Sequence, residues 1–245
     1  MKENIYDQDD FFIAYSQFPR SVEGLNAAGE WPALQRLLPN FQGKSVLDLG
    51  CGYGWHCLYA AQQGAIKVIG TDISQKMLKV AKEKNRFPTI IEYRQQAIED
   101  MQFADASFDL VVSSLALHYV ADFAQICHKI HACLTEKGQF IFSVEHPVFT
   151  ADGSQDWCYD PSGAKLHWPV DNYFSEGARQ AEFLGHKVTK YHKTLTTYLT
   201  SLLTAGFSIE QLIEPQPADY LLDKIAGMRD ELRRPMMLLV VAKKA

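Results

Sequence analysis

Val46-Leu47-Asp48-Leu49-Gly50-Cys51-Gly52-Tyr53-Gly54 decides the fold of this chain. It reads as a short buried strand over Ser45 to Leu49, a glycine turn, and a helix from Tyr53 to Gln63 closed by Gly64. Asp48 is a carboxylate set in an apolar strand two residues before the turn. A buried charge is costly unless something pairs with it or hydrogen-bonds to it. The turn is therefore expected to meet a ligand that offers a donor or a positive charge. The glycines would let that ligand lie against bare backbone.

Working outward, short apolar runs alternate with amphipathic helices. A second strand covers Lys67 to Gly70 and ends at Thr71-Asp72, and Ser74 caps a helix to about Asn85 with Met77, Leu78 and Ala81 inward. Further strands are expected at Ile90–Arg94, Phe108–Ser113 and Gly138–Val144, with a helix over Ala121–Leu134. Lys193–Thr204 reads as a helix, Phe207–Ile213 as a strand, Asp219–Arg234 as mostly helix and Met236–Ala242 as a last strand. This rhythm predicts an α/β, doubly wound, Rossmann-like sheet, mostly parallel, with ligands beyond the carboxyl ends of its strands. Two segments stand outside it. Residues 1–43 form an N-terminal arm with a helical stretch at Ala33–Leu38. Residues 147–192 form an insertion with a hairpin about Gly185, rich in rings (Phe149, Trp157, Tyr159, Trp168, Tyr173, Phe174, Phe183, Tyr191). So many rings at the mouth of a site are expected to line an apolar or planar-substrate pocket.

The composition narrows the function. With 245 residues the chain buries a core as one domain. A net charge of -5 argues against nucleic acid or an anionic membrane as partner. The apolar runs are too short to cross a bilayer, and the polar, acidic start is no signal peptide. Five cysteines without a Cys-x-x-Cys pair fit free thiols in a reducing cytoplasm. Cys127-His128 and His131-x-Cys133 lie on one expected helix with the cysteines inward and the histidines outward, so no metal site is expected there.

A dinucleotide fingerprint requires Gly-x-Gly-x-x-Gly. Here Gly50 and Gly52 are followed by Trp55 at the third position, whose bulk opposes a nicotinamide oxidoreductase. Asp72 ends the second strand where a ribose-binding acid belongs, and its two oxygens could accept both hydroxyls of one ribose. An acid before the glycines and one after the next strand fit a single nucleoside carrying an amino acid.

With Gly70-Thr71-Asp72-Ile73-Ser74, Phe108 to Tyr119, Leu134 to Ser143 and Leu203-Thr204-Ala205-Gly206-Phe207, the chain resembles the class I S-adenosylmethionine-dependent methyltransferases. The likeness is to the small-molecule group of methyltransferase type 11 and ubiquinone-biosynthesis enzymes. It covers residue 44 to the end, apart from the insertion. It implies a seven-stranded sheet with the last strand antiparallel, and a single domain divided into arm (1–43), cofactor-binding core (44–146), substrate or lid insertion (147–192) and the remainder of the sheet (193–245). It also implies the cofactor S-adenosyl-L-methionine, released as S-adenosyl-L-homocysteine. In that likeness Gly50, Gly52 and Gly54 pack against the methionine part, and Asp48 aids its ammonium directly or through water. Asp72 holds the ribose, and Ile73 and Met77 flank the adenine. Ala97 and Ile98 meet the adenine amine, although with Gln96 before them and Glu99 after them the family's usual acid is displaced or absent. Ser113 and Leu115 lie beneath the methionine and sulfonium, and Tyr15 and Arg20 cover the cofactor from the arm, Arg20 pairing its carboxylate.

Methyl transfer asks mainly for alignment and exclusion of water. A base is needed only where the nucleophile must lose a proton. The candidates beyond strand ends are Glu145, His146, His118 and His192. The acceptor is expected to be a small molecule with an apolar or planar part. A non-catalytic S-adenosylmethionine sensor and a methyltransferase acting on protein or nucleic acid are the alternatives.

Overall fold

Side-chain alternation in the first strand sets the two faces of the sheet. The computed structural model describes residues 2–217, 219–223 and 227–245. The arm folds as α1 (Asp9–Ser16), α2 (Pro19–Glu23) and α3 (Trp31–Leu37). There follow β1 (Ser45–Leu49), α4 (Trp55–Gln62), β2 (Lys67–Asp72), α5 (Gln75–Lys84), β3 (Ile91–Gln95), β4 (Phe108–Ser114), α6 (Phe123–Cys133) and β5 (Leu134–Glu145). The expected helix starts at Ala121 and Lys193 move inward because Asp122 and Thr194 are the caps, accepting the amides of Gln125 and Thr197.

Leu47 and Leu49 of β1 face α6, in one core with Val111, Phe142, Phe123 and Ile126. Val46 faces the other way, toward Leu34 of α3 and Cys57 and Leu58 of α4. Asp48 has the parity of Val46, so it points at α4 and away from the crevice.

The insertion holds α7 (Pro147–Thr150), the short pair β6 (Cys158–Tyr159) and β7 (Lys165–His167), and the hairpin β8 (Gly177–Phe183) and β9 (His186–His192) expected about Gly185. After it come α8 (Leu195–Thr204), β10 (Phe207–Ile213), α9 (Asp219–Leu222) and β11 (Met237–Lys244). The helix expected over Asp219–Arg234 is broken in its described part. One α turn and a 3-10 segment at Met228–Arg233 stand apart, with Gly227 at φ 82° before the second; residues 224–226 lie outside the described chain.

The main sheet has seven strands in the order β10-β11-β5-β4-β1-β2-β3. β11 is antiparallel to both neighbours, and the other pairings are parallel. From β1 the chain winds outward through β2 and β3, and from β4 it winds the other way. The carboxyl ends of β1 and β4 therefore flank the switch point where α/β sheets bind ligands.

The aromatic insertion mostly builds a local core and leaves the pocket to others. Arg234 lies 4.2 Å from the ring centre of Trp168, 4.7 Å from Phe149 and 5.5 Å from Trp157. Its guanidinium also pairs with Glu231 at 2.8 Å. Three desolvated cation–π contacts make it the centre of this cluster. Arg234→Met is expected to cost about 2–3 kcal/mol and to lower Tm by about 5–10 °C, measured by thermal denaturation; an unchanged Tm would show the rings pack without it.

Candidate active site

Three left-handed glycines make the turn after β1, Gly50 at φ 74°, Gly52 at 53° and Gly54 at 75°. The amides of Gly50 and Cys51 both donate to the Thr71 carbonyl at 2.9 Å, which fastens the turn to the end of β2. Asp72 completes the fastening. Its Oδ2 accepts the Gly52 amide at 2.8 Å and its Oδ1 the Ser74 amide at 2.9 Å. Burial pushes its pKa up to about 6 against these bonds. Ser74 Oγ in turn accepts the Met77 amide at 3.1 Å, as its place before the helix predicts.

Over the switch point lies a cavity of about 290 Å³, near the lower end of the ~300–1,000 Å³ usual for small-molecule sites. Gly50, Gly52, Asp72, Ile73, Met77, Ala97, Ile98 and Leu115 border it from the sheet side, and Tyr15 and Arg20 from the arm. His118 and Glu145 border it too. Ten of the thirteen expected cofactor residues and two of the four base candidates are thus brought together. Glu99 also lines the cavity, beside Ala97 and Ile98, so an acid is present at this edge.

Five expected site residues stand outside the cavity lining. Asp48 is buried beneath the turn, where its Oδ2 accepts from Cys57 Sγ at 3.3 Å and Oδ1 has no partner among the described residues. Strand parity turns its carboxyl toward α4 and Cys57, off the cavity wall. Gly54 abuts Tyr93: a Cβ there would collide with the hydroxyl. Ser113 is buried and donates to the Leu49 carbonyl at 2.8 Å. His146 caps α7, Nδ1 accepting the Val148 amide at 3.0 Å, with Nε2 2.8 Å from Glu214. His192 is the buried end of β9, held by Thr150 Oγ1 and the Tyr173 carbonyl, each at 2.8 Å.

Burial holds Asp48 at a pKa of about 7, against 3.8 in an exposed chain. The folded state then keeps a proton that the unfolded chain has lost, so this residue's contribution to stability falls as pH rises from about 4 to about 7. Asp48→Asn removes that loss. Its stability relative to the parent should improve by about 3 kcal/mol between pH 5 and pH 8, read by urea unfolding; a gap independent of pH would refute the raised pKa.

Several cavity residues escaped the sequence reading. Glu30, 1% exposed, accepts from Arg20 at 2.6 Å and from Ser114 Oγ at 2.9 Å, and Arg20 reaches Ser114 at 3.0 Å. His56 borders the same region, with its pKa pushed down to about 3 by burial and by Arg20. Tyr6 meets Tyr119 hydroxyl to hydroxyl at 3.2 Å. Lys190 reaches in from the hairpin, beside Phe183, one of the rings expected to line a pocket. Lys190 had a visible signal: it alternates with Val188 and His192 along β9, the inward register of that strand. It donates to Glu145 at 2.6 Å and to Gln155 at 2.9 Å, and Gln155 donates back to Glu145 at 2.7 Å. Burial would raise the pKa of Glu145, but His118 and Lys190 outweigh it and keep the carboxyl below its ordinary range.

Among the described residues no helix is long and apolar enough to cross a membrane. All five cysteines are free thiols, with Cys127 and Cys133 buried as expected.

Comparison with known proteins places this geometry. The model of a methyltransferase domain matches residues 47–142. An uncharacterized protein of Haemophilus influenzae is 34% identical over 249 residues, 99% of this chain and 98% of that one. A Listeria monocytogenes protein, solved under a provisional assignment as an S-adenosylmethionine-dependent methyltransferase, is 55% identical with a TM-score of 0.83, covering 89% of this chain and 99% of its own. An S-adenosylmethionine-dependent methyltransferase from Mesorhizobium loti is 41% identical, also at 0.83, over 90% and 100% of the two chains. With likeness of this degree over most of the chain, and the sheet order and glycine turn in place, the chain belongs to the class I S-adenosylmethionine-dependent methyltransferases.

Proposed function

We propose that the enzyme transfers the methyl group of S-adenosylmethionine to a small molecule held beneath the arm and the hairpin. The observation that carries this reading is the roof. Glu3 accepts the Thr189 amide of the hairpin at 2.8 Å, Tyr6 bonds Tyr119, and Phe11 packs on Phe183 at 5.9 Å. A roof tied down from both sides covers part of the cavity, which suits a metabolite better than a polypeptide or nucleic-acid strand.

The residues present fit the cofactor. The glycines leave the floor bare: a Cβ on Gly52 would stand 3.2 Å from Met77 Cε and narrow the cleft. Asp72 is a carboxylate with no salt-bridging cation among the described residues, and each of its oxygens keeps a lone pair beyond the amide it accepts. It would hold the ribose, with Ile73 and Met77 on the adenine and Ala97, Ile98 and Glu99 at its edge. Gly50, Gly52 and Leu115 would carry the methionine part. Arg20 keeps N–H groups beyond those given to Glu30 and Ser114 and would take the carboxylate, with Tyr15 above. The bound cofactor supplies an electrophilic methyl on a good leaving group. The chain's own work is to align the acceptor with that methyl and keep water out.

The test incubates the enzyme with methyl-labelled S-adenosylmethionine and a metabolite extract, and identifies the labelled product by mass. Label in low-mass compounds supports the reading. Label in protein or nucleic acid points to a macromolecular acceptor, and cofactor binding without transfer to a sensor.

A further inference from the structure

The methyl-transfer reading, on which this inference rests, leaves the class of acceptor open. β5 stands three strand spacings from β2, about 14 Å, so Glu145 and His118 mark the end of the cavity away from Asp72. His118, Glu145 and Glu3 at that end each have a partner within the protein. Glu145 has Lys190 on one oxygen at 2.6 Å and Gln155 on the other at 2.7 Å. Its own amide donates to Nδ1 of His118 at 3.4 Å. Burial pushes the His118 pKa down to about 4, so the ring is neutral, carries its one proton on Nε2 and is a donor there. Glu3 is tied to the Thr189 amide.

What this end offers is hydrogens. Tyr6 and Tyr119 share one hydrogen bond at 3.2 Å, which uses one of two hydroxyl hydrogens and leaves the other to give. Lys190 adds a cation whose two recorded partners leave a third N–H. Alcohols, phenols and ammonium groups must lose a proton before or as they attack a methyl group. A carboxylic acid at neutral pH has already lost it.

We propose that the acceptor is a carboxylic acid, bound as its anion on His118, Lys190 and the Tyr6–Tyr119 pair and converted to its methyl ester. One carboxylate oxygen forms a bond to the methyl carbon as the carbon–sulfur bond breaks in line, its electron pair remaining on sulfur. The negative charge of the acceptor and the positive charge of the sulfonium cancel, and no proton is released. The donors hold the anion without removing anything from it.

Ester chemistry makes the test direct. The enzyme is incubated with methyl-labelled S-adenosylmethionine and a bacterial small-molecule extract, and the products are treated with mild alkali. Most of the transferred label is expected as volatile methanol, because esters hydrolyse where methyl ethers, methylamines and C-methyl groups survive. Labelled small molecules stable to alkali would overturn the carboxylate while leaving methyl transfer intact. No label in any fraction would overturn both. Independently of turnover, the same extract is dialysed to equilibrium against enzyme saturated with S-adenosylhomocysteine. The retained compound should migrate as an anion at pH 7 and become neutral at pH 2. Retention of a cation, of a neutral compound or of nothing overturns the proposal.

Discussion

Asp72→Ala is expected to bind S-adenosylmethionine about 100-fold more weakly, or worse. A hydrogen bond to a charged group is worth about 1.5–3 kcal/mol, and two ribose hydroxyls fall to this one side chain. A loss of about 3 kcal/mol is about a 100-fold change in Kd. The geometry adds a second cost, because the same oxygens hold the Gly52 amide at 2.8 Å and the Ser74 amide at 2.9 Å. Without them the floor of the cleft is held to β2 only through the Gly50 and Cys51 amides on the Thr71 carbonyl. Titration calorimetry on the folded variant reads the first effect and thermal unfolding the second. Unchanged affinity would remove Asp72 from the cofactor site.

Gly54→Ala should destabilise the fold by about 3 kcal/mol or more. An alanine at φ 75° sits in the left-handed region, at roughly 1–2 kcal/mol. Its Cβ would also lie within 2.8 Å of Tyr93 Cζ, closer than packed carbons approach. Overpacking of this kind costs about 1–3 kcal/mol more. Tyr93 is itself buried against Gly70, which leaves it little room to withdraw. Urea unfolding measures the loss. The double variant with Tyr93→Ala should recover the packing part and not the backbone part; full additivity of the two single effects would show that the ring is not what Gly54 makes room for. Gly54 was expected to face the methionine. Its requirement comes from the opposite side of the turn.

The readable parts of the sequence were those whose cause is local. The β1 turn, the Ser74 cap and Asp72 at the end of β2 are each fixed by neighbours a few residues away, and the strand and helix periods follow from burial on one side or two. The hidden parts depend on chain segments meeting from far off. Arg20 was read as a free cation for the cofactor, but Glu30 reaches it through the fold of the arm. Glu145 is one of four base candidates in the sequence, but Lys190, 45 residues on, takes one oxygen. The rings of the insertion could be counted, yet their destination depended on Arg234, which gathers three of them away from the cavity. His146 and His192 looked available because histidines after strands often are; here one caps a helix and the other closes a strand end.

The position of β11 also governs how the protein can be made. It is the last strand of the chain in order, yet it lies between β5 and β10. On a ribosome, β5 is complete roughly ninety residues before β11 appears, about 5–20 s at 5–20 residues per second. Through that interval Phe140 and Phe142 belong to an open strand edge, and such edges recruit other chains. Sheet closure must therefore wait until β11 has emerged. A nascent chain stalled before Met237 is expected to be a substrate for chaperones rather than a working fragment.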